Sequence, residues 1–404
     1  MRLHGYLLCV SALLACSVSE EADDAPVPAD GDGADSTRDG ASGDDTSGDG
    51  SVVDTGATSD SGTLADGSLS AAPLFAFVGG GGKITAYAVD SASGTFTKLK
   101  ETSAGTNPSF LAFDPSRRRV VALDEAENLV RSFSFDPSTG SLTPINTKPS
   151  GGNGPAHISL DPTGNWVFAA NYGGGTMSVF PIDTTGSLGN ASDTRASGNK
   201  SHWVGTNPSG NYVFVPALGA NLVAQYALNV TTGKLTDNGS VSPPAGAGPR
   251  HLAFHPTEKW AYLINETAIS VTALDFDKTT GKLSAKQTLS ALPPGQSAAG
   301  VSGAEIFVHP NGKHVYASTR IYNSIVQFSV GADGALTRVA NVTTGGNRPR
   351  SFGMDPEGTL LFAGNQDVNQ VVGFRIDTST GSLTPLGKTA DVDKPSFVGL
   401  VRVP

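Results

Sequence analysis

The stretch Gly246 to Glu266, GAGPRHLAFHPTEKWAYLINE, reads as a β-hairpin. Arg250 to His255 carries alternating apolar residues, a Pro-containing turn follows, and Trp260 to Glu266 returns with aromatic and aliphatic side chains that suit a pleated, half-buried surface. With His255 paired to Trp260 across the turn, counting back along both strands sets Arg250 opposite Asn265 and brings Glu266 beside Arg250. Two opposite charges then meet at the open end of the hairpin.

The same turn recurs as FDPSRR (113–118), LDPTGN (160–165), TNPSGN (206–211), FHPTEK (254–259), VHPNGK (308–313) and MDPEGT (354–359). Its prolines stand about 46 to 54 residues apart, a period that marks repeated supersecondary units. After each hairpin comes an alternating strand such as Ile269 to Phe276, then a Gly turn such as TTGKL (279–283) or ADGAL (332–336), then a fourth strand. Four strands per unit make a propeller blade. Six hairpins are complete. The ends supply a seventh blade: PSFVGLVRVP (395–404) matches a first strand with nothing after it, and LFAFVGGGGKITAYAVD (74–90) supplies later strands without a first. Joining the two hides both sheet edges. The expected fold is therefore all-β, a seven-bladed β-propeller over residues 73–404, closed by the carboxyl-terminal strand in the amino-terminal blade. The longest interval holds an extra loop, PPGQSAAGVSG (293–303), expected as a flap beside the central opening.

Composition agrees. Among 404 residues are 50 Gly and 25 Pro, with only 16% charged residues, which favours short strands and many turns. The net charge of −10 is concentrated, since residues 17–72 hold fourteen acidic side chains against one Arg. The rest is nearly neutral and shows no basic stripe for nucleic acid.

Residues 1–16, MRLHGYLLCVSALLAC, combine Arg2 with an apolar core and small residues before Cys16, the pattern of an export signal too short to remain as a membrane span. Leu13-Leu14-Ala15-Cys16 resembles the lipobox of bacterial lipoproteins, in which the Cys receives lipid after cleavage. Cys9 would leave with the signal, so the mature chain has no intramolecular disulfide to form. Residues 17–72 are too poor in apolar clusters to offset their ordering entropy and are expected to be disordered. As a flexible coil of about 56 residues they would hold the body roughly 40 Å from the anchor. Asp30 and Asp32 lack the loop Gly and closing Glu of a calcium site.

Residues needed by the fold should repeat, whereas a site should break the repeat. Five positions before the turn residue the hairpins carry Ser109, Ala156, His202, Arg250, Ala304 and Arg350; eleven after it they carry Glu125, Tyr172, Leu218, Glu266, Arg320 and Gln366. Both positions face one mouth of the central channel, where a propeller has room for a ligand. His202, Arg250, Glu266 and Arg320 stand where the repeat tolerates Ala, Leu and Tyr. His255 and His309, by contrast, alternate with Asp and Asn in the turn and read as structural. An ion-pair ring that merely seals the channel is the competing account of the charged set.

GAGPRHLAFHP (246–256), LINE (263–266), PAHISLDPTGNWVFAANYGGGTMSVF (155–180) and HPNGKHVYASTR (309–320) resemble the seven-bladed lactonase propellers, which include bacterial 6-phosphogluconolactonases and fungal carboxy-cis,cis-muconate cyclases. The resemblance covers about residues 74–404. It implies a catalytic set of one His, two Arg and one Glu, which fall here at His202, Arg250, Arg320 and Glu266. Phe307 departs from the family, many of whose members carry His there. Export is a second departure, because a cytosolic sugar-phosphate lactone would not be met outside the cell.

The resemblance thus points to a metal-independent lactonase acting on a small-molecule lactone, without a cofactor. Either Glu266 or His202 would serve as general base, and Arg250 and Arg320 would hold a carboxylate or phosphate and polarise the carbonyl. His157, Asn171, Tyr172, His251, Asn265 and Arg350 are the expected substrate-binding wall. No Ser-His-Asp spacing and no compact metal-ligand set is visible in the sequence. The alternative is a surface-anchored propeller that binds a ligand or protein without catalysis. A monomer is expected, exported and lipid-anchored to the bacterial envelope through Cys16. Exchange of Cys16 for Ser should release the protein from the membrane fraction with its melting temperature unchanged; unaltered membrane partition would refute the anchor.

Overall fold

The structure, a computed structural model, describes residues 72–404. The expected signal peptide, Cys16 and the acidic linker up to residue 71 lie outside the described residues. Seven antiparallel sheets of four strands follow one another around a ring. Blade 1 comprises Leu74–Gly80, Lys83–Val89 and Phe96–Ser103, with Phe397–Arg402 as its innermost strand. Blades 2 to 7 span 110–149, 155–196, 205–241, 249–290, 302–343 and 349–391.

The local sequence explains the layering. Second strands such as Trp166–Asn171, Trp260–Asn265 and Leu360–Asn365 are continuous apolar runs because neighbouring blades cover both of their faces. Outermost strands such as Lys282–Ser290 are largely exposed and polar. The turn residues hold the hairpins: Asp161 Oδ1 accepts the N–H groups of Asn165 and Trp166, and Asp355 Oδ1 those of Thr359 and Leu360. His255 and His309 take the same place and also reach the next blade, bonding the carbonyls of Gly312 at 2.9 Å and Gly358 at 2.8 Å. They fasten blade to blade. A second lock recurs at the outer turns, where Gly281 at φ +69° leaves room for the Tyr212 ring of the preceding blade, and Gly334 at φ +82° does the same for Trp260. An added Cβ at Gly281 would fall 2.2 Å from that ring.

Simple counting along the hairpins misses one detail that matters for the site. Pro249, not Arg250, faces Asn265, and a bulge between Pro249 and His251 takes up Arg250. Blades 3 and 7 have the same bulge after Pro155 and Pro349, absorbing Ala156 and Arg350. Each of these strands opens on a proline, which has no N–H for the ladder, and the ladder slips one residue later. A bulge re-aims side chains, so Arg250 and His251, adjacent in sequence, border one and the same pocket. Blade 4 departs differently. Its innermost strand shrinks to Gly205–Thr206, and His202 precedes it, held by its N–H on the Pro216 carbonyl at 2.9 Å.

Innermost strands begin at one mouth of the channel and end at the turns on the opposite face. Toward the turn face the channel widens into a cavity of about 420 Å³ with aromatic and aliphatic walls, among them Phe113, Trp203, Phe307, Phe352 and Phe397. Ring closure is complete: Phe397–Arg402 pairs with Leu74–Gly80 from Phe397 opposite Gly79 to Arg402 opposite Leu74, and Phe397 packs on Phe110 of blade 2 at 4.7 Å. Removal of residues 395–404 should therefore abolish a cooperative thermal transition or cause aggregation, because it bares a strand edge and unseats the packing of blades 1 and 2. Scanning calorimetry and light scattering check this; a soluble truncation with an unaltered melt would contradict it.

Candidate active site

Two register positions of the innermost strands build the mouth. The outer one carries Ser109, Ala156, His202, Arg250, Ala304, Arg350 and, in the closing strand, Ser396. The next residue inward carries Phe110, His157, Trp203, His251, Glu305, Ser351 and Phe397. This inner set forms a floor across the channel: Phe110 lies 4.1 Å from His157, His157 lies 5.3 Å from both Trp203 and His251, and His251 Nδ1 lies 2.7 Å from Glu305 Oε1. Residues of the two positions enclose a small polar pocket between mouth and floor. The far larger apolar cavity lies on the other side of the floor, so the charged groups of the outer position do not line it.

At the mouth Glu266 is clamped by two guanidinium groups, with Arg250 Nε 2.8 Å from Oε2 and Arg320 Nη2 2.9 Å from Oε1. The side chain of Glu266 keeps 23% of its surface exposed, whereas Arg250 and Arg320 keep 3% and 5%. Arg250 also donates through Nη1 to the Ala304 carbonyl at 2.7 Å. Arg350 borders the same pocket from blade 7. Burial pushes the Glu266 carboxyl up, but Arg320, Arg250 and Arg350 outweigh it and hold the group below the usual carboxylate range. Burial brings Arg250 down to about 10, so it stays cationic at neutral pH.

The histidines behave differently. Burial, reinforced by Arg250 and His251, holds His202 well below the usual imidazole range. Its buried Nδ1 has no hydrogen-bond partner among the described residues, and its ring lies 5.1 Å from His251 and 5.4 Å from Tyr172. His157 and His251 are likewise held down, chiefly by burial. All three are neutral imidazoles in a cationic surrounding.

The sequence-predicted residues thus divide. His202, Arg250, Glu266, Arg320 and Arg350 meet at the mouth, where His251 reaches up from the floor, with Tyr172 at its edge beside Lys200, whose Nζ lies 5.8 Å from the Tyr172 ring. His157 belongs to the floor. Asn171 and Asn265 are fully buried; Asn171 donates its amide to the Ser150 carbonyl in the connection from blade 2 and to Thr176 of its own blade, and Asn265 donates to Ser270 and Thr272. They brace strand ends and do not form wall. Glu305 was missed. Aligning the inner register position would have exposed it, because a carboxylate stands there among aromatic, His and Ser residues. Among the described residues no group of three or more His, Cys, Asp or Glu side chains converges as a metal site.

The chain belongs to the family described as Lactonase, 7-bladed beta-propeller, whose sequence profile matches residues 65–400. It is 33% identical over 331 residues to a 6-phosphogluconolactonase of Bacillus subtilis, an alignment covering 79% of this chain and 95% of that protein. A 6-phosphogluconolactonase of Pectobacterium carotovorum is 30% identical, with 77% of this chain and 93% of the relative covered. Among solved structures, the periplasmic gluconolactonase of Pseudomonas aeruginosa superposes with a TM-score of 0.75 at 28% identity, covering 82% of this chain and all of that one.

Exchanging Glu266 for Gln leaves Arg250 and Arg320 facing each other across a neutral amide. A loss of roughly 3 kcal/mol is expected at pH 7, the size of breaking a buried ion pair. Because the folded carboxyl is depressed, that stabilisation is present above the ordinary carboxylate range and fades as pH falls through the lower folded value. Denaturant melts at pH 7 and in acid check both points: wild type and variant should converge in acid, and equal stability at pH 7 would refute the clamp.

Proposed function

We propose that this chain is a lactonase that opens the lactone ring of a sugar acid or a related lactone bearing a carboxylate or phosphate. The observation that carries the reading is the pairing of a neutral His202, its Nδ1 unengaged, with guanidinium groups fixed by Glu266. Lactone hydrolysis needs a base that is unprotonated at working pH and a cationic surface where the carbonyl oxygen becomes an oxyanion. His202 answers the first need and Arg250 with Arg320 the second. Glu266 is the weaker base of the two, because both of its oxygens are engaged by cations that favour the ionised form. Its part is to hold the two guanidinium groups in place.

In the reaction His202 takes a proton from water as the water oxygen bonds to the lactone carbonyl carbon. The tetrahedral oxyanion is stabilised by the guanidinium groups. Its collapse breaks the ring C–O bond, and the imidazolium returns the proton to the departing alkoxide. The product is the open hydroxy acid. Its new carboxylate is offset by cations already in place, so we assign the charge stabilisation to the protein and not to a metal ion.

We further propose that the enzyme works outside the cytosol, tethered by lipid on Cys16 through the acidic linker. The amino-terminal sequence supports this, and the similar Pseudomonas protein is described as periplasmic. A substrate of that compartment would be an aldonolactone. Three results are expected from purified protein on a panel of aldonolactones. His202→Asn should lower kcat about a hundredfold or more, the scale of losing a positioned base, with an unchanged melt. Arg250→Lys should lower kcat as well as raise KM, because a point charge cannot reproduce a forked contact to the bound substrate or to the oxyanion. Dialysis against a chelator should leave turnover intact. Full activity of folded His202→Asn would overturn the assignment.

A further inference from the structure

The floor residue Glu305 has no part in the scheme above, yet it is a buried carboxyl one contact away from its central cation. Its Oε1 lies 2.7 Å from His251 Nδ1, and His251 Nε2 lies 3.3 Å from Arg250 Nη1. A guanidinium has donors only, so the nitrogen that faces it must carry the lone pair. A neutral imidazole then bears its proton on Nδ1, directed at Glu305. The same Glu305 oxygen also accepts the Ile306 N–H at 3.1 Å, which marks it as an acceptor on both counts. Hydrogen bonds and ion pairs therefore run in one line: Glu305 carboxylate, His251 imidazole, Arg250 guanidinium, Glu266 carboxylate, Arg320 guanidinium.

We propose that Glu305 is a positioning residue, acting through His251 to hold the Arg250 guanidinium at the angle in which it meets both Glu266 and the substrate. The inference rests on the lactonase reading of the same mouth. The Pro249 bulge makes it possible by turning Arg250 and His251 toward one pocket, and Glu305 comes from the adjacent innermost strand of blade 6. If Glu305 takes up a proton, its O–H becomes the donor to Nδ1. The imidazole proton then moves to Nε2, where it meets an N–H of Arg250, donor against donor. Arg250 is left with Ala304 and Glu266 alone, and its aim is loosened.

The groups around this pair decide where it titrates. His251 is faced by Arg250 on its own strand, by Glu305 from blade 6, by His157 from blade 3, by His202 from blade 4 and by Arg350 from blade 7. The histidines are neutral, while Arg250, Ile306 N–H, Ser351 and Arg350 all favour the Glu305 carboxylate. Burial nevertheless prevails and pushes Glu305 up to about 8. The ionised form that holds Arg250 is thus complete above that value and is lost as pH falls through it. Substrate binding should weaken toward acid before His202, whose imidazole stays neutral to much lower pH, begins to protonate.

Glu305→Gln and Glu305→Ala decide the matter, the first keeping the volume of the buried side chain should the second fail to fold. Steady-state kinetics on an aldonolactone should be run from about pH 6 to about pH 9, with histidine side-chain ¹⁵N spectra and gluconate titration by calorimetry on the same proteins. In wild type KM should rise several-fold toward acid, and His251 should carry its proton on Nδ1 at the alkaline end. Glu305→Ala should raise KM and the gluconate dissociation constant about tenfold and lower kcat several-fold, because a loosened Arg250 serves both the bound substrate and the oxyanion less well. Glu305→Gln cannot titrate, so its KM should be flat with pH. A wild-type-like KM profile in both variants, or a proton on His251 Nε2 in alkaline wild type, would overturn the proposal. If wild type opens no lactone, the lactonase reading falls by itself; the imidazole tautomer and the gluconate titration still decide whether Glu305 holds Arg250.

Discussion

Everything at the mouth depends on the pairing of Phe397–Arg402 with Leu74–Gly80. That ladder is the point where the two ends of the propeller chain meet, and it makes seven blades a ring instead of an open stack. Once the ring is shut, equivalent positions of seven innermost strands are forced toward one axis. Further bonds secure the seam: Ser396 N–H reaches the Gly79 carbonyl at 2.9 Å, Val403 N–H the Pro73 carbonyl at 3.1 Å, and Arg118 the Pro404 carbonyl at 2.8 Å. A ring closed within one blade by both ends of the chain has no free sheet edge at its seam, which is why a site can be assembled from residues far apart in sequence without a disulfide to hold it.

Convergence also sets the electrostatic problem that the site solves. Several cations drawn to one axis would repel one another in a partly dry mouth. Glu266 relieves this by bridging Arg250 and Arg320, and its residual exposure leaves the cluster open to an anionic substituent. The neutral imidazoles beside it follow from the same field, because burial and neighbouring guanidinium groups both oppose their protonation. A cationic pocket whose imidazoles stay unprotonated is suited to lactone opening, where negative charge appears on the carbonyl oxygen and later on the product.

The floor divides the channel into two unlike compartments. On one side lie charges within ion-pair distance, on the other an aromatic-walled cavity of about 420 Å³. The floor residues differ from blade to blade although their backbone position is the same, and this is how one repeated scaffold acquires a single asymmetric site. Phe307, on the wall of the apolar cavity, packs against Phe352 at 5.3 Å and extends the apolar wall.

The sequence by itself determined the blade count, the closure and the four residues at the centre of the mouth. Those properties are local or periodic: a turn such as FHPTEK repeats with its strands, and a charged residue in a tolerant register position stands out against its own repeats. It also placed His255 as a turn residue, because turn chemistry is legible in neighbouring residues. Only the tertiary structure decided how these residues are joined. The slip at Pro249 displaced Arg250 from its expected partner Asn265, Asn171 and Asn265 turned inward to brace their blades, and Glu305 came into contact with His251 across 54 residues of chain. Such contacts depend on how adjacent blades are rotated against each other and on where a ladder is interrupted. Both are set by packing among distant strands, which no single hairpin records.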